Sequence, residues 1–142
     1  MISTLFPCMW FDGKAKDAAD FYCSLFPESK IVSTNPMVVI FELNKTKFMA
    51  LNGGPEFKFN EAISFVITCE TQEEIDFYWN KLTEDGKESK CGWLKDKFGV
   101  SWQVVPSILG SLMSNPATAP KVMYAFMQMK KFDIAKLKEA AE

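Results

Sequence analysis

The sequence predicts an α+β fold made of two βαβββ modules in tandem, closed by extra C-terminal helices. Three observations carry that prediction. The order strand, helix, three strands reads twice along the chain. "DFYCSLFPE" at residues 20–28 returns as "DFYWNKLTE" at 76–84, with Asp-Phe-Tyr at the same place on each helix. Beyond Pro106 the apolar spacing turns helical. A chain of 142 residues makes one domain, expected as module one 1–55, module two 60–106 and a C-terminal helical segment 107–142. Neither module can bury its sheet face unaided.

Residues 2–10 are extended and rich in large apolar groups, and Asp12-Gly13 ends them with turn chemistry. Ala15, Ala18, Ala19, Tyr22, Leu25 and Phe26 recur at spacings of three and four, which predicts an amphipathic helix over 14–26 stopped by Pro27. Three β runs follow, "SKIVST", "MVVIFEL" and "TKFMAL", the last two forming a hairpin around Asn44-Lys45. Gly53-Gly54-Pro55 breaks the chain, and "EAISFVITCE" opens module two. Thr71 and Glu74 form a capping box that starts a helix bearing Ile75, Phe77, Tyr78, Trp79 and Leu82. Strands are expected around 87–90, 92–96 and 101–105, the last two bent around Lys97-Phe98-Gly99. Helices are expected over 108–114, from Thr118-Ala119-Pro120, and from Asp133.

Composition narrows the function. The net charge is −2 and the sixteen basic residues are scattered, so no basic stripe for nucleic acid is formed. No stretch approaches the ~20 apolar residues of a membrane-spanning helix, and the N-terminus lacks a basic leader, so a cytoplasmic protein is expected. Cys8, Cys23, Cys69 and Cys91 form no CxxC pair and read as small buried hydrophobes. Histidine is absent, which removes imidazole bases, Cys-His and Ser-His nucleophiles and the HExxH zinc site together. Thirteen phenylalanines call for a broad core or an apolar cavity.

The stretches "FPCMWFDGKAKDAADFYCSLFP", "MALNGGPEFKFNEAISFVITCETQEEIDFYWNKL" and "CGWLKDKFGVSWQVVP" resemble the PhnB-like, or 3-demethylubiquinone-9 3-methyltransferase-like, proteins of the vicinal oxygen chelate superfamily. Glyoxalase I, bleomycin-resistance proteins and extradiol dioxygenases belong to the same superfamily. The resemblance implies the glyoxalase/bleomycin resistance fold, with cupped mixed sheets, helices on their convex sides, a cavity on the concave side, and a homodimer. Metal-using branches hold a divalent ion with a His early and a Glu late in each module. Those positions fall here on Pro7 and Ile63 and on Met49 and Gln103, so neither a metal nor another cofactor is expected.

Strand alternation places Ser101, Gln103 and Val105 on one face, and Leu5, Pro7 and Met9 opposite Phe6, Cys8 and Trp10. If helices cover the tryptophan faces, Leu5, Pro7, Met9, Met49, Leu51, Ile63, Phe65 and Ile67 line an apolar bowl. Gln103 is then either tied to backbone or water, or turned to a ligand. The favoured expectation is metal-free binding of a small apolar or aromatic molecule, with Gln103 and Asn52 orienting it, Trp93 and Phe65 stacking on it, and Met49 adapting to its shape. The enzyme alternative uses a weakly held metal among Glu42, Asn52, Glu56 and Glu61, or Glu56 as acid or base. Methyl transfer is disfavoured, because no glycine-rich turn links a strand to a helix. An interaction module with a filled bowl is the third class.

Overall fold

The computed structural model describes residues 3–142; Ile2, the first residue of the expected first strand, lies outside the described residues. The chain divides into two compact units, Met1–Phe59 and Asn60–Glu142.

In the first unit β1 (Cys8–Phe11), α1 (Ala15–Leu25), β2 (Lys30–Thr34), β3 (Val38–Leu43) and β4 (Thr46–Asn52) form a four-stranded sheet in the order β1-β4-β3-β2, backed by α1. β1 runs parallel to β4, and the other pairs are antiparallel. Asn44 and Lys45 both take positive φ, which matches the twist of a two-residue hairpin between β3 and β4. Ala15, Ala18, Ala19, Tyr22 and Leu25 form the buried stripe of α1. The sheet's buried face carries Met9, Phe11, Val39, Phe41, Leu43, Phe48 and Ala50. Phe41 and Phe48, directly paired, stack with centroids 5.5 Å apart, an arrangement worth about 0.5–1.5 kcal/mol beyond burial alone.

The second unit repeats the pattern. β5 (Phe65–Cys69), α2 (Gln72–Thr83), β6 (Lys87–Glu88), β7 (Trp93–Lys95) and β8 (Ser101–Pro106) form a sheet in the order β5-β8-β7-β6, with β5 parallel to β8. Position for position this is the topology of the first sheet, so the repeat read in the sequence is a repeat in space. The capping box is complete. Thr71 Oγ1 accepts from the Glu74 amide and the Glu74 carboxylate accepts from the Thr71 amide. Ile75, Trp79 and Leu82 are the buried residues of α2.

Asp96 organises the turn between β7 and β8. Its Oδ1 accepts from the amides of Phe98 (2.8 Å) and Val100 (3.1 Å), and its Oδ2 from Trp102 Nε1 (2.8 Å). The carboxylate is only 3% exposed. Three short helices follow, α3 (Leu109–Ser114), α4 (Ala119–Phe126) and α5 (Ile134–Ala140). Val122, Phe132 and Leu137 anchor this segment in the core. The amides of Cys91 and Gly92 donate to the carbonyls of Met129 (2.9 Å) and Lys130 (2.8 Å). Gln72 holds the same segment from α2, donating to Phe132 O and accepting from the Ile134 amide. No helix among the described residues is long and apolar enough to cross a membrane.

Candidate functional site

Each sheet has a covered face and an open one, and register fixes which residues share the open face. In the second unit Val66, Trp93 and Gln103 are register partners across β5, β7 and β8. All are at least partly exposed, while Leu94, Trp102 and Val104 on the other side are buried. One step along, Lys87, Lys95 and Ser101 form a second row across β6, β7 and β8. Trp93 and the second row border a concavity of about 490 Å³, lined by Glu61, Lys87, Lys90, Trp93, Lys95 and Ser101 among others; Val66 and Gln103 lie beside Trp93 outside its lining.

Gln103 Nε2 donates to Ser64 Oγ at 3.0 Å. The amide is therefore tied to a side-chain hydroxyl rather than to strand backbone, and its Oε1 accepts no hydrogen bond among the described residues. Lys95 Nζ pairs with Glu61 Oε1 at 3.0 Å. The Lys95 hydrogen bond, with a smaller contribution from Glu61's own backbone and the Lys95 charge, holds the Glu61 carboxyl below its ordinary range. Ser101 is 1% exposed, and its Oγ has no hydrogen-bond partner. Glu88, also beside the concavity, is drawn to Trp79 Nε1 at 3.2 Å.

A larger crevice of about 790 Å³ lies between the start of α2 and residues 128–138. Its polar groups hold one another. Gln72 bridges Asp76, Phe132 and Ile134, and Lys131 pairs with Asp76 at 2.8 Å. The Lys131 hydrogen bond, then that of Gln72, lowers the Asp76 carboxyl from its usual range. None of the candidate site residues named from the sequence lines it.

Of those residues, Gln103 and Trp93 come together as side-by-side neighbours. Phe65 does not join them. Its register partner is Trp102, and the two rings lie 5.4 Å apart on the covered side. Val66 and Thr68, rather than Phe65 and Ile67, share the face of Gln103 and Val105. The first sheet needs the same correction. Met9 is buried in the core, and Cys8 and Trp10 share the open face with Met49 and Leu51. Trp10 can stay half-exposed there because Nε1 donates to Gly54 O (2.9 Å) and its ring meets Phe57 edge-on (4.9 Å). Leu5 (88% exposed) and Ile63 (73% exposed) precede β1 and β5 and line no bowl within their own units.

Met49 sits on that open face between Cys8 and Ile40. Asn52 has a local task. Its Oδ1 accepts from the Ala15 amide (2.9 Å) at the start of α1, and its Nδ2 donates to Pro36 O (3.0 Å). Lys14, at the N-cap position, makes no side-chain cap, so a strand asparagine supplies one from 37 residues away. Asn52→Ala is expected to lower stability by about 1–2 kcal/mol. Urea unfolding followed by circular dichroism measures this, and an unchanged midpoint would contradict the capping role. Glu56 is exposed on the turn after Gly54 and makes no ion pair among the described residues.

Pro7, Ile63, Met49 and Gln103, where the resemblance would place metal ligands, offer a proline, an isoleucine, a thioether and a serine-bound amide, a donor set that does not fit a divalent transition ion. No group of three or more His, Cys, Asp or Glu side chains that could hold a metal occurs among the described residues. Ser64, Lys87, Lys95 and Ser101 were not singled out as site residues from the sequence. Alternation from Gln103 back to Ser101, and from Trp93 to Lys95, carries the signal for two of them.

Comparison with known proteins agrees with this architecture. The family model described as 3-demethylubiquinone-9 3-methyltransferase matches residues 3–105. A PhnB protein from Bacillus cereus that carries the same family name is 36% identical, with a TM-score of 0.68 over 74% of this chain and 100% of its own. Protein PA1353 from Pseudomonas aeruginosa is 19% identical, with a TM-score of 0.59 over 74% of this chain and 98% of its own. The fosfomycin resistance protein FosX from Listeria monocytogenes, solved with Mn(II) and sulfate, is 13% identical, with a TM-score of 0.59 over 80% and 98%. The last two share the fold. No curated protein matches the sequence.

Proposed function

The chain belongs to the 3-demethylubiquinone-9 3-methyltransferase family, PhnB-like proteins of the vicinal oxygen chelate fold, and on that premise we propose that it binds a small apolar or aromatic molecule, without a metal, on the open face of its second sheet. The observation that carries the reading is the register pair Trp93 and Gln103, an indole beside an amide whose carbonyl oxygen is unengaged. Val66 and Val105 extend the apolar surface around them. An apolar floor with a few fixed polar groups is the usual form of a small-molecule site. Ser64, the residue just before β5, orients Gln103, which reduces the rotamer freedom a ligand would otherwise have to quench.

The family name points to methyl transfer, and the chain's turns do not support it. Asp12-Gly13-Lys14, between β1 and α1, carries one glycine, and Glu70-Thr71, between β5 and α2, carries none. A nucleotide-type cofactor cradle needs several.

The reading is tested by titrating the protein with neutral 2-naphthamide and following tryptophan fluorescence. Saturable binding is expected. Gln103→Ala is expected to weaken it roughly fivefold to tenfold, the worth of one neutral hydrogen bond, with little change in melting temperature. Absence of saturable binding at millimolar probe defeats the reading, and a large fall in melting temperature with binding intact would assign Gln103 to the scaffold.

A further inference from the structure

We infer that the preferred ligand is an acid: an aromatic or apolar body laid on Trp93 whose carboxylate, or a similar oxyanion, is received by the row Lys87, Lys95 and Ser101. This rests on the binding reading above and deepens it by naming the charge of the ligand. Three independent features of the open face point the same way.

First, Lys87 and Lys95 are direct partners across the antiparallel pair β6 and β7. Like charges directly opposite each other repel, and an anion between them removes the repulsion. Second, the carboxylates nearby do not settle that charge. Glu88 is turned to Trp79, and exposed Glu61 pairs with Lys95 alone. Lys87 and Lys90 make no ion pair among the described residues, so the concavity is left cationic. Third, Ser101 is the register partner of Lys95 and lines the same concavity with a buried hydroxyl that has no partner. A buried hydroxyl ordinarily finds an acceptor. A carboxylate beside Lys95 supplies one, and the hydroxyl then donates to it.

Glu61 thus has a definite role. It comes from the loop before β5 and, itself exposed, pairs with Lys95, so an incoming carboxylate competes with it. It acts as a built-in counter-ion that a matching acid displaces and a neutral ligand leaves in place.

The experiment compares 2-naphthoate with 2-naphthamide, which have the same ring system and differ in charge, at pH 7.5 and low salt. Naphthoate is expected to bind about tenfold more tightly, the advantage shrinking as salt is raised. Lys87→Gln and Lys95→Gln are each expected to erase most of that preference while leaving naphthamide affinity within twofold. Glu61→Gln is expected to strengthen naphthoate binding severalfold and leave naphthamide unchanged, a gain that a merely damaged fold does not produce. Saturable naphthamide binding with no preference for naphthoate overturns the inference and leaves the binding reading standing. A preference that survives both lysine variants also overturns it. Failure of both probes to bind overturns the inference and the binding reading together.

Discussion

Gly92→Ala is expected to cost about 3 kcal/mol or more, enough to remove a large share of the stability of a domain this size. Two effects add. Gly92 has φ +81, a conformation that costs a residue with a Cβ about 1–2 kcal/mol. A Cβ there would also meet the Phe132 ring at 2.5 Å and the carbonyl oxygen of Val104 at 2.8 Å. The ring could shift, but the carbonyl belongs to β8, and the Val104 amide donates to Gly92 O at 2.8 Å, which holds the two backbones together, so the clash adds the ~1–3 kcal/mol of an overpacked core. Gly99→Ala separates the two contributions. It has φ +86 and open space around it, so it should show the backbone strain alone. Equal urea midpoints for the two variants would refute the claim that Phe132 and Val104 enclose Gly92.

Asp96→Ala is expected to cost a further class of interaction, about 3–5 kcal/mol. Three donors converge on this carboxylate, the amides of Phe98 and Val100 and the Trp102 indole. Each buried donor left unpaired costs roughly 1–3 kcal/mol. The total falls short of the simple sum because the turn can open and admit water. Asp96→Asn should lie between, since an amide oxygen can still serve the two backbone amides while its NH₂ group faces another donor at Trp102. Chemical denaturation of the three proteins gives the ranking. A loss below about 1 kcal/mol for alanine would mean that the turn is held by its backbone hydrogen bonds, Asp96 N to Val100 O and Gly99 N to Asp96 O, instead.

The element order was legible because it is written locally. The α1 stripe of alanines, the Thr71 and Glu74 box, the Asn44-Lys45 hairpin and the doubled Asp-Phe-Tyr each state their own structure within a few residues. Which face of a strand is covered is not written that way. Alternation separates Met9 from Trp10 but does not say which meets the helix. The expectation that tryptophan goes under the helix holds for Trp102 and fails for Trp10, whose indole finds Gly54 and Phe57 on the open side. Phe65 was misplaced for a related reason. Its neighbour β8 is parallel and reached by a long connection, so no turn geometry sets their register. The partnership of Asn52 with Ala15 is equally invisible from either residue alone, since it closes only when β4 lies beside the start of α1. At the site, Gln103 and Trp93 could be picked out as an amide and an indole in apolar runs, whereas Ser101 gains its meaning from burial, which only packing confers.

The two peptide amides just before Trp93 are held by carbonyls at residues 129 and 130, in a part of the chain beyond residues 3–105 that the family model matches. On the proposed binding reading, selectivity would therefore be set partly from outside the matched scaffold. Substitutions in the tail would then reach the seat of the indole by way of main-chain atoms, without any change in the lining residues.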